Sequence, residues 1–202
     1  MKKLPLFLIL LICIASCNTN SKTKIVDGEK QKTSDTVFNA KIQGVFFDTP
    51  FGSSKAEVIK NFKNHGLRFI NYTSTETLLH FSPQRGKYFS FGNMSWEMVD
   101  VEVSNDKFYF IRFMNTSEDK ATTIQAYENL LATVSAKYEM MEETPEDTMI
   151  YRVAAGYTES IPHRVVIVSC FKYETISRKM LQGISLEYAD GKFYEDEVSD
   201  EL

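Results

Sequence analysis

Residues 94–114 read MSWEMVDVEVSNDKFYFIRFM, and this stretch decides the fold class. Two runs rich in β-branched and aromatic residues, Met94–Val103 and Lys107–Met114, flank the turn sequence Ser104-Asn105-Asp106. Extended runs that are separated by such a short polar turn are typical of a β-hairpin. We therefore expect the chain to be organised around an antiparallel sheet.

The first of these runs is apolar on both parities. Met94, Trp96 and Met98 share one parity, and Val99, Val101 and Val103 share the other. Because alternate side chains of a strand point to opposite faces, two interpretations are open. Either a bulge at Met98–Val99 brings both sets to one face, or the strand is apolar on both faces and Trp96 points away from the core.

The second interpretation defines a candidate binding surface, which is an aromatic, methionine-bearing face of the sheet. Surfaces of this composition are common at protein interfaces. The alternative is that these rings fill the core. The candidate partner-binding residues are Trp96, Met98, Tyr88, Phe91 and Tyr109.

Two helices are expected around this sheet. Ser54-Lys55-Ala56-Glu57 fits a capping box, and Gly66 can supply the left-handed stop, so the pattern predicts a helix over 54–65. A single apolar stripe with helical spacing predicts the second helix. Its members are Ile124, Tyr127, Leu130, Leu131, Val134 and Tyr138.

The remaining strands complete the fold class. Further short strands are expected at Ile42–Phe47, Arg68–Tyr72, Thr77–Phe81, Lys87–Phe91, Met149–Tyr157, Arg164–Tyr173 and Gln182–Tyr188. The order of strand, helix, strands, helix, strands predicts an α+β fold, with two helices packed on one face of a mostly antiparallel sheet. It also allows two tandem α-then-β units.

The segment Phe51–Val58, with a glycine, a capping residue and a short amphipathic helix before a sheet, resembles two groups of exported modules. These are the β-lactamase-inhibitor protein family and the small lipoprotein subunit of the outer-membrane barrel-assembly machinery. Those families usually have two helices before their strands, and one has disulfides, whereas this chain has one helix per unit. The resemblance implies a protein-binding module without catalysis.

The segment Met1–Cys17 begins with two lysines and continues with an apolar block of about a dozen residues, which is shorter than the roughly 20 that span a membrane. Its end, Ile14-Ala15-Ser16-Cys17, resembles the lipobox of bacterial lipoproteins. The resemblance implies a signal peptide over residues 1–16 and a lipid on Cys17, and Asn18 favours the outer membrane. A conventional secretory cleavage or an uncleaved anchor is the alternative.

Composition divides the rest of the chain into three parts: a polar, flexible linker over 17–39, an α+β body over 40–190 and an acidic tail over 191–202. The segment Asp190–Leu202 carries six acidic residues and one lysine, and we expect a solvated end. The formal net charge is −4, without a basic stripe, which argues against a nucleic-acid partner.

No residue pattern in the sequence points to catalysis, a cofactor or a metal. Cys170 is the cysteine left after Cys13 and Cys17, and we expect a buried, inert thiol. The histidines His65, His80 and His163 are not at metal-ligand spacing. The five carboxylates within 139–147 are expected to form a solvated loop, with cation binding as the open alternative.

The sequence thus predicts a membrane-tethered, non-catalytic lipoprotein of the cell envelope, exposed to the periplasm or the cell surface. It would bind a protein or envelope component through the aromatic sheet face. The alternative is an envelope-associated hydrolase whose catalytic residues are dispersed along the chain.

Overall fold

A computed structural model describes residues 42–85, 89–157, 163–175 and 177–194 of the chain. The predicted signal peptide, Cys17, the linker and the acidic residues from Glu195 onward lie outside these ranges. Within them, no helix has both the length and the apolar character needed to cross a membrane.

The described residues form an α+β fold in which strands dominate. The helices are α1 (Lys55–Asn64) and α2 (Lys120–Ser135), and a short 3-10 helix covers Gly191–Phe193. The strands are β1 (Val45–Phe46), β2 (Thr49–Pro50), β3 (Leu67–Phe69), β4 (Leu78–Pro83), β5 (Phe89–Phe91), β6 (Met94–Trp96), β7 (Met98–Ser104), β8 (Lys107–Ser117), β9 (Met140–Glu143), β10 (Ile150–Tyr157), β11 (Arg164–Glu174) and β12 (Met180–Asp190).

Eight of these strands form one antiparallel sheet with the order β3-β4-β7-β8-β12-β11-β10-β9. The other four form two small hairpins, β1–β2 and β5–β6. The predicted α+β class and antiparallel sheet are therefore confirmed.

Helix α1 begins and ends where the sequence predicts. Ser54 is its N-cap, and the Glu57 amide donates to the Ser54 hydroxyl while the Glu57 carboxylate accepts from the Ser54 amide at 2.9 Å. This reciprocal pair satisfies two amides that a helix start leaves without partners. At the other end, Gly66 has φ +87°, a conformation that side chains other than glycine rarely adopt.

Helix α2 starts before the apolar stripe that predicted it. Asp119 is its N-cap, and its carboxylate accepts from the amides of Ala121 at 3.0 Å and Thr122 at 3.2 Å. The inward face of the helix then buries Tyr127, Leu130 and Val134, as the spacing predicted.

The hairpin predicted around residues 104–106 is confirmed as β7–β8. Asn105 and Asp106 have φ 46° and 60°, which is the left-handed backbone of a two-residue hairpin turn. The same geometry closes β1–β2 at Phe47-Asp48, where φ is 51° and 59°. The sequence prediction missed this turn and placed one strand over Ile42–Phe47, because phenylalanine is not a usual turn residue.

One row of residues shows which face of the sheet is the core. Phe81, Val99, Phe113, Leu186 and Val168 lie opposite one another on five neighbouring strands, and each is fully buried. We call their side of the sheet the core face.

Both helices lie against the core face. The Phe62 ring of α1 is 4.9 Å from the Phe81 ring. The Cys170 thiol, on the core face of β11, contacts the Thr123 carbonyl of α2 at 3.8 Å. Burial raises the pKa of this thiol to about 11, so Cys170 is the buried cysteine that the sequence predicted.

The two small hairpins also pack on the core face, around the ring of Phe113. The Phe91 ring stacks on it with a centroid distance of 4.4 Å, and the rings of Phe46 and Trp96 lie at 6.2 Å and 5.9 Å. Aromatic side chains from both small hairpins therefore meet at one residue of β8.

A partly buried ion pair joins the start of the described body to its end. Arg164 Nε donates to Asp190 at 2.7 Å, and Arg164 Nη1 donates to the Ile42 carbonyl at 3.4 Å. The Asp190 side chain is fully buried and also lies 3.3 Å from His163 Nε2. The guanidinium thus joins the residues just before β1 to the last residue of β12.

Strand β9 corrects the sequence prediction of a solvated acidic loop over 139–147. Met140–Glu143 pairs with β10 at the edge of the sheet. Two methionines and two glutamates carry little intrinsic strand preference, so tertiary pairing overrides local propensity here.

We expect Phe113→Ala to lower the free energy of unfolding by about 3–5 kcal/mol, because it leaves a cavity that the surrounding rings cannot fill. Urea unfolding of the chain without its signal peptide, followed by circular dichroism, measures this change. Tyr72→Ala is the matched control, because the Tyr72 side chain is 88% exposed. A loss of similar size in both variants would contradict the central position of Phe113.

Candidate binding face

The side of the sheet opposite the core face is the candidate site, and we call it the outer face. It carries the side chains that alternate with the buried row on each strand. A bulge in β8 opposite Glu102 and Val103 also turns Tyr109 to this face, where its hydroxyl donates to Glu102. Its members include His80, Met98, Asp100, Glu102, Tyr109, Phe110, Arg112, Met114, Met141, Val153, Ala155, Tyr157, Val165, Ile167, Ser169, Phe171, Tyr173, Ser185, Glu187 and Ala189.

Four charged residues of the outer face lie in register on adjacent strands. His80 on β4 is opposite Asp100 on β7, which is opposite Arg112 on β8, which is opposite Glu187 on β12. His80 Nδ1 lies 2.7 Å from Asp100 Oδ1, and Arg112 Nε donates to Glu187 Oε1 at 3.0 Å. We call these four residues the charged row, in which the sign alternates when His80 is protonated.

The cations of the charged row are more exposed than its carboxylates. The side chains of His80 and Arg112 are 25% and 30% exposed, whereas those of Asp100 and Glu187 are 11% and 7% exposed. The solvent therefore meets mainly the cationic groups, and the carboxylates hold them in place from below.

Hydroxyl groups complete the buried end of the row. The Ser185 hydroxyl donates to Glu187 Oε1 at 2.7 Å, and the hydroxyls of Ser185 and Ser169 are 2.7 Å apart. A buried carboxylate requires such partners, because leaving it without them is costly. The row thus continues as hydrogen bonds onto β11.

Two pKa shifts follow from these contacts. The hydrogen bond to Asp100 raises the pKa of His80, because it favours the protonated ring. The pKa of Tyr109 is also raised, first by burial and then by the charge of Glu102, to which its hydroxyl donates. Both groups therefore hold their protons on the outer face more firmly than in water.

Beyond Glu187 the same register becomes apolar. Ile167, Ala155 and Met141 follow on β11, β10 and β9. Met141 is 57% exposed, and Tyr173 on β11 is 38% exposed. The outer face therefore has a charged half on β4, β7, β8 and β12, and an apolar half on β11, β10 and β9.

The structure separates the five predicted partner-binding residues. Met98 and Tyr109 lie on the outer face, where Met98 is half-buried and Tyr109 is buried. Trp96 and Phe91 do not: Trp96 is 2% exposed, and Phe91 stacks on Phe113 in the core. Tyr88 lies outside the described residues.

The placement of Trp96 on the face away from the helices is thus wrong, and a break in the chain explains it. The predicted single strand over Met94–Val103 is two strands, with a bend at Glu97. The Glu97 amide donates to the Asn115 side chain at 2.8 Å. This bend brings Trp96 and Val99 to the same face, as the bulge interpretation required, although it lies one residue before the proposed position.

Each of the three histidines contacts an aspartate. Besides the His80 contact, His65 Nε2 lies 2.7 Å from Asp48, and His163 Nε2 lies 3.3 Å from Asp190. In the described ranges, no three His, Cys, Asp or Glu side chains are grouped closely enough to hold a metal ion. Within the predicted acidic loop, Glu142 instead pairs with Arg152.

Comparison of the chain with models of protein families, with curated proteins and with solved structures finds no match. The outer face is therefore interpreted from its own geometry.

The sequence prediction missed all four members of the charged row. A signal existed, since Asp100, Arg112 and Glu187 each stand between two apolar neighbours in the sequence. Their partners, however, depend on strand register, because Arg112 and Glu187 are 75 residues apart in sequence. The spacing of residues along the chain therefore could not predict that these side chains pair.

The raised pKa of His80 predicts a pH-dependent stability. The protonated pair stabilises the fold fully below the unfolded pKa of 6.5, and this contribution is lost as the pH rises through the higher folded pKa. We expect the free energy of unfolding of His80→Gln to approach that of the wild type as the pH rises. Urea titrations from about pH 5.5 to about pH 9 measure this difference.

His65→Gln is the matched control, because it removes a histidine–aspartate contact from another part of the surface. This variant should keep the pH dependence that His80 contributes. A difference between His80→Gln and wild type that stays constant over this pH range would show that the His80 proton does not stabilise the fold.

Proposed function

We propose that the protein is a lipid-tethered, non-catalytic lipoprotein of the bacterial cell envelope that binds a protein or envelope component through its outer face. The distribution of packing elements supports this role. Both helices and both small hairpins pack on the core face, whereas Met141, Tyr173 and part of the Arg112 side chain are exposed on the outer face.

The composition of the outer face is the observation that carries the proposal. Its apolar half presents Met141 and Tyr173 to solvent, and its charged half presents Arg112. Tyrosine, methionine and arginine are the residue types that interfaces favour, with apolar anchors beside polar groups. The carboxylate of Glu187 holds the Arg112 guanidinium in place, which lowers the entropic cost of using it in binding.

The tether is proposed from the sequence. The lipobox-like segment ending at Cys17 would place the protein in the envelope, with the outer membrane favoured by Asn18. A random linker of 22 residues over 18–39 spans about 26 Å. The binding face could then contact partners that lie close to the membrane surface.

We also infer that the body consists of two tandem α-then-β units. The first unit is α1 with β3, β4, β7 and β8, and the second is α2 with β9, β10, β11 and β12. The sheet order supports this division, because it runs through the first unit in chain order and through the second in reverse. The last strands of the two units would then pair at the centre of the sheet.

We expect Met141→Asp with Tyr173→Asp to lose the partners that wild type captures, because two new carboxylates disrupt an apolar contact. Both side chains are exposed, so the fold should persist, which circular dichroism checks. Cross-linking in cells followed by mass spectrometry measures capture. Val45→Asp with Tyr72→Asp is the control, with side chains 53% and 88% exposed elsewhere. Recovery of the same partners by the outer-face variant would contradict the proposal.

We expect Cys17→Ser to abolish labelling by radioactive palmitate and to release the protein from the membrane fraction, because the serine cannot form the thioether to the lipid. Cys13→Ser is the matched control, since this residue lies within the predicted signal peptide. It should retain both the label and the membrane association. Continued labelling of the Cys17→Ser protein would exclude this site of lipidation.

A further inference from the structure

A tight turn over residues 147–150 leads into β10. The Asp147 side chain accepts from the Met149 amide at 2.7 Å, and the Asp147 carbonyl accepts from the Ile150 amide at 3.0 Å. An aspartate that accepts from the backbone two residues on stabilises such a turn. The Lys172 amide also donates to the Met149 carbonyl at 2.7 Å, which joins the turn to β11. The backbone around residue 148 is therefore held from two sides.

Thr148 lies in the middle of this turn and presents its side chain to solvent. It is exposed, whereas its neighbours Asp147 and Met149 are half-buried. Within the described part of the chain, the Thr148 hydroxyl has no hydrogen-bond partner. The turn thus offers a hydroxyl that an enzyme can reach and that the fold does not use.

The sequence around Thr148 resembles a short acceptor of O-linked sugars in exported proteins of some Gram-negative bacteria. That acceptor is an aspartate, then a threonine or serine, then an apolar residue, and Asp147-Thr148-Met149 fits it. Asp35-Thr36-Val37 also fits, but lies outside the described residues. A three-residue pattern also arises by chance, so the exposure of the hydroxyl and the fixed turn are needed to select Thr148.

A second Asp-Thr pair in the described ranges shows what the structure adds to the pattern. Asp48-Thr49 is followed by Pro50, and Thr49 is fully buried in β2. The Thr49 hydroxyl donates to the Phe47 carbonyl at 3.1 Å. An enzyme could not reach this hydroxyl in the folded protein, whereas it could reach that of Thr148.

We propose that Thr148 is an O-glycosylation site. The step joins Thr148 Oγ1 to the anomeric carbon of a sugar that a membrane lipid carries through a phosphate group. The bond between that carbon and the phosphate oxygen breaks, and the lipid phosphate leaves with the bonding electrons. The hydroxyl proton passes to a base of the transferring enzyme. The lipid-linked sugar is the one co-reactant.

The compartment of the protein favours a sugar over a phosphate on this hydroxyl. Nucleoside triphosphates are kept in the cytoplasm, so a kinase would find no donor for an exported chain. A lipid-linked sugar can be presented on the outer side of the inner membrane, which the chain must cross. The glycosylation therefore rests on the export that is part of the proposed function.

A sugar on Thr148 would stand close to one end of the outer face. The turn is bonded to Lys172, and the next residue, Tyr173, is exposed on that face. Because a glycan is bulky and hydrophilic, it would limit how closely a partner approaches this end.

The site is tested with the full chain, expressed in its own organism and purified from the membrane fraction. Trypsin releases residues 138–152, which contain Thr144 and Thr148. We expect mass spectrometry to find this peptide with added sugar units, and fragmentation that preserves the glycosidic bond to place them on Thr148. An unmodified peptide, or a phosphate on Thr148, would overturn the proposal.

Two variants of this peptide test which residues specify the sugar. Thr148→Ala should lose it completely. Thr144→Ala is the matched control, because Thr144 is also exposed but lies between Glu143 and Pro145. The control should keep the wild-type occupancy. Sugar that persists in the Thr148→Ala peptide, or that is lost in the Thr144→Ala peptide, would show that the site is wrong.

Radioactive palmitate labelling of the same preparation separates this proposal from the proposed function. Labelled protein with an unmodified 138–152 peptide would remove the glycosylation and leave the lipoprotein. Unlabelled protein that carries the sugar on Thr148 would remove the lipid and leave the glycosylation. Protein with neither modification would remove both.

Discussion

The pairing of β8 with β12 is the constraint on which the rest of the structure depends. Eight consecutive residue pairs, from Gln182–Ser117 to Ala189–Phe110, join the two halves of the sheet. A slip of one residue in this ladder would turn every side chain of one half to the opposite face. The correct register instead places Phe113 opposite Leu186 in the core and Arg112 opposite Glu187 on the other side. Core and candidate site are therefore fixed by the same hydrogen bonds.

Strand β8 buries side chains on both faces of the sheet, and the loss of hydration on both faces costs stability. Contacts from neighbouring strands offset part of this cost. On one side it buries Phe113 among aromatic rings. On the other side it carries Arg112, whose partner Glu187 is nearly removed from solvent. A buried ion pair is seldom a net source of stability, because both groups lose hydration. The hydroxyls of Ser169 and Ser185 reduce that loss.

Local chemistry in the sequence was sufficient wherever the structure depends on near neighbours. The capping box at Ser54 and the turn at Asn105-Asp106 both rest on contacts within a few residues, and both were predicted correctly. The position of Trp96 was not predicted correctly. A bend at one residue, Glu97, changes the sheet face to which the residues before it point. The charged row required the register of four strands, which no periodicity along one strand contains. Of the residues that the sequence assigned to a binding face, the structure places Met98 and Tyr109 on the outer face and Trp96 and Phe91 in the core.

If the protein is tethered as proposed, the guanidinium of Arg164 has a mechanical consequence. It holds the Ile42 carbonyl and the Asp190 carboxylate at one corner of the body. Under the proposed tether, a pull on the segment before Ile42 would act close to this corner, where Arg164 on β11 and Asp190 on β12 lie near the middle of the sheet. Long central strands that are loaded along their length resist by many hydrogen bonds at once, whereas an edge strand would peel one bond at a time. The proposed tether would thus load the body beside long central strands and not at an edge strand.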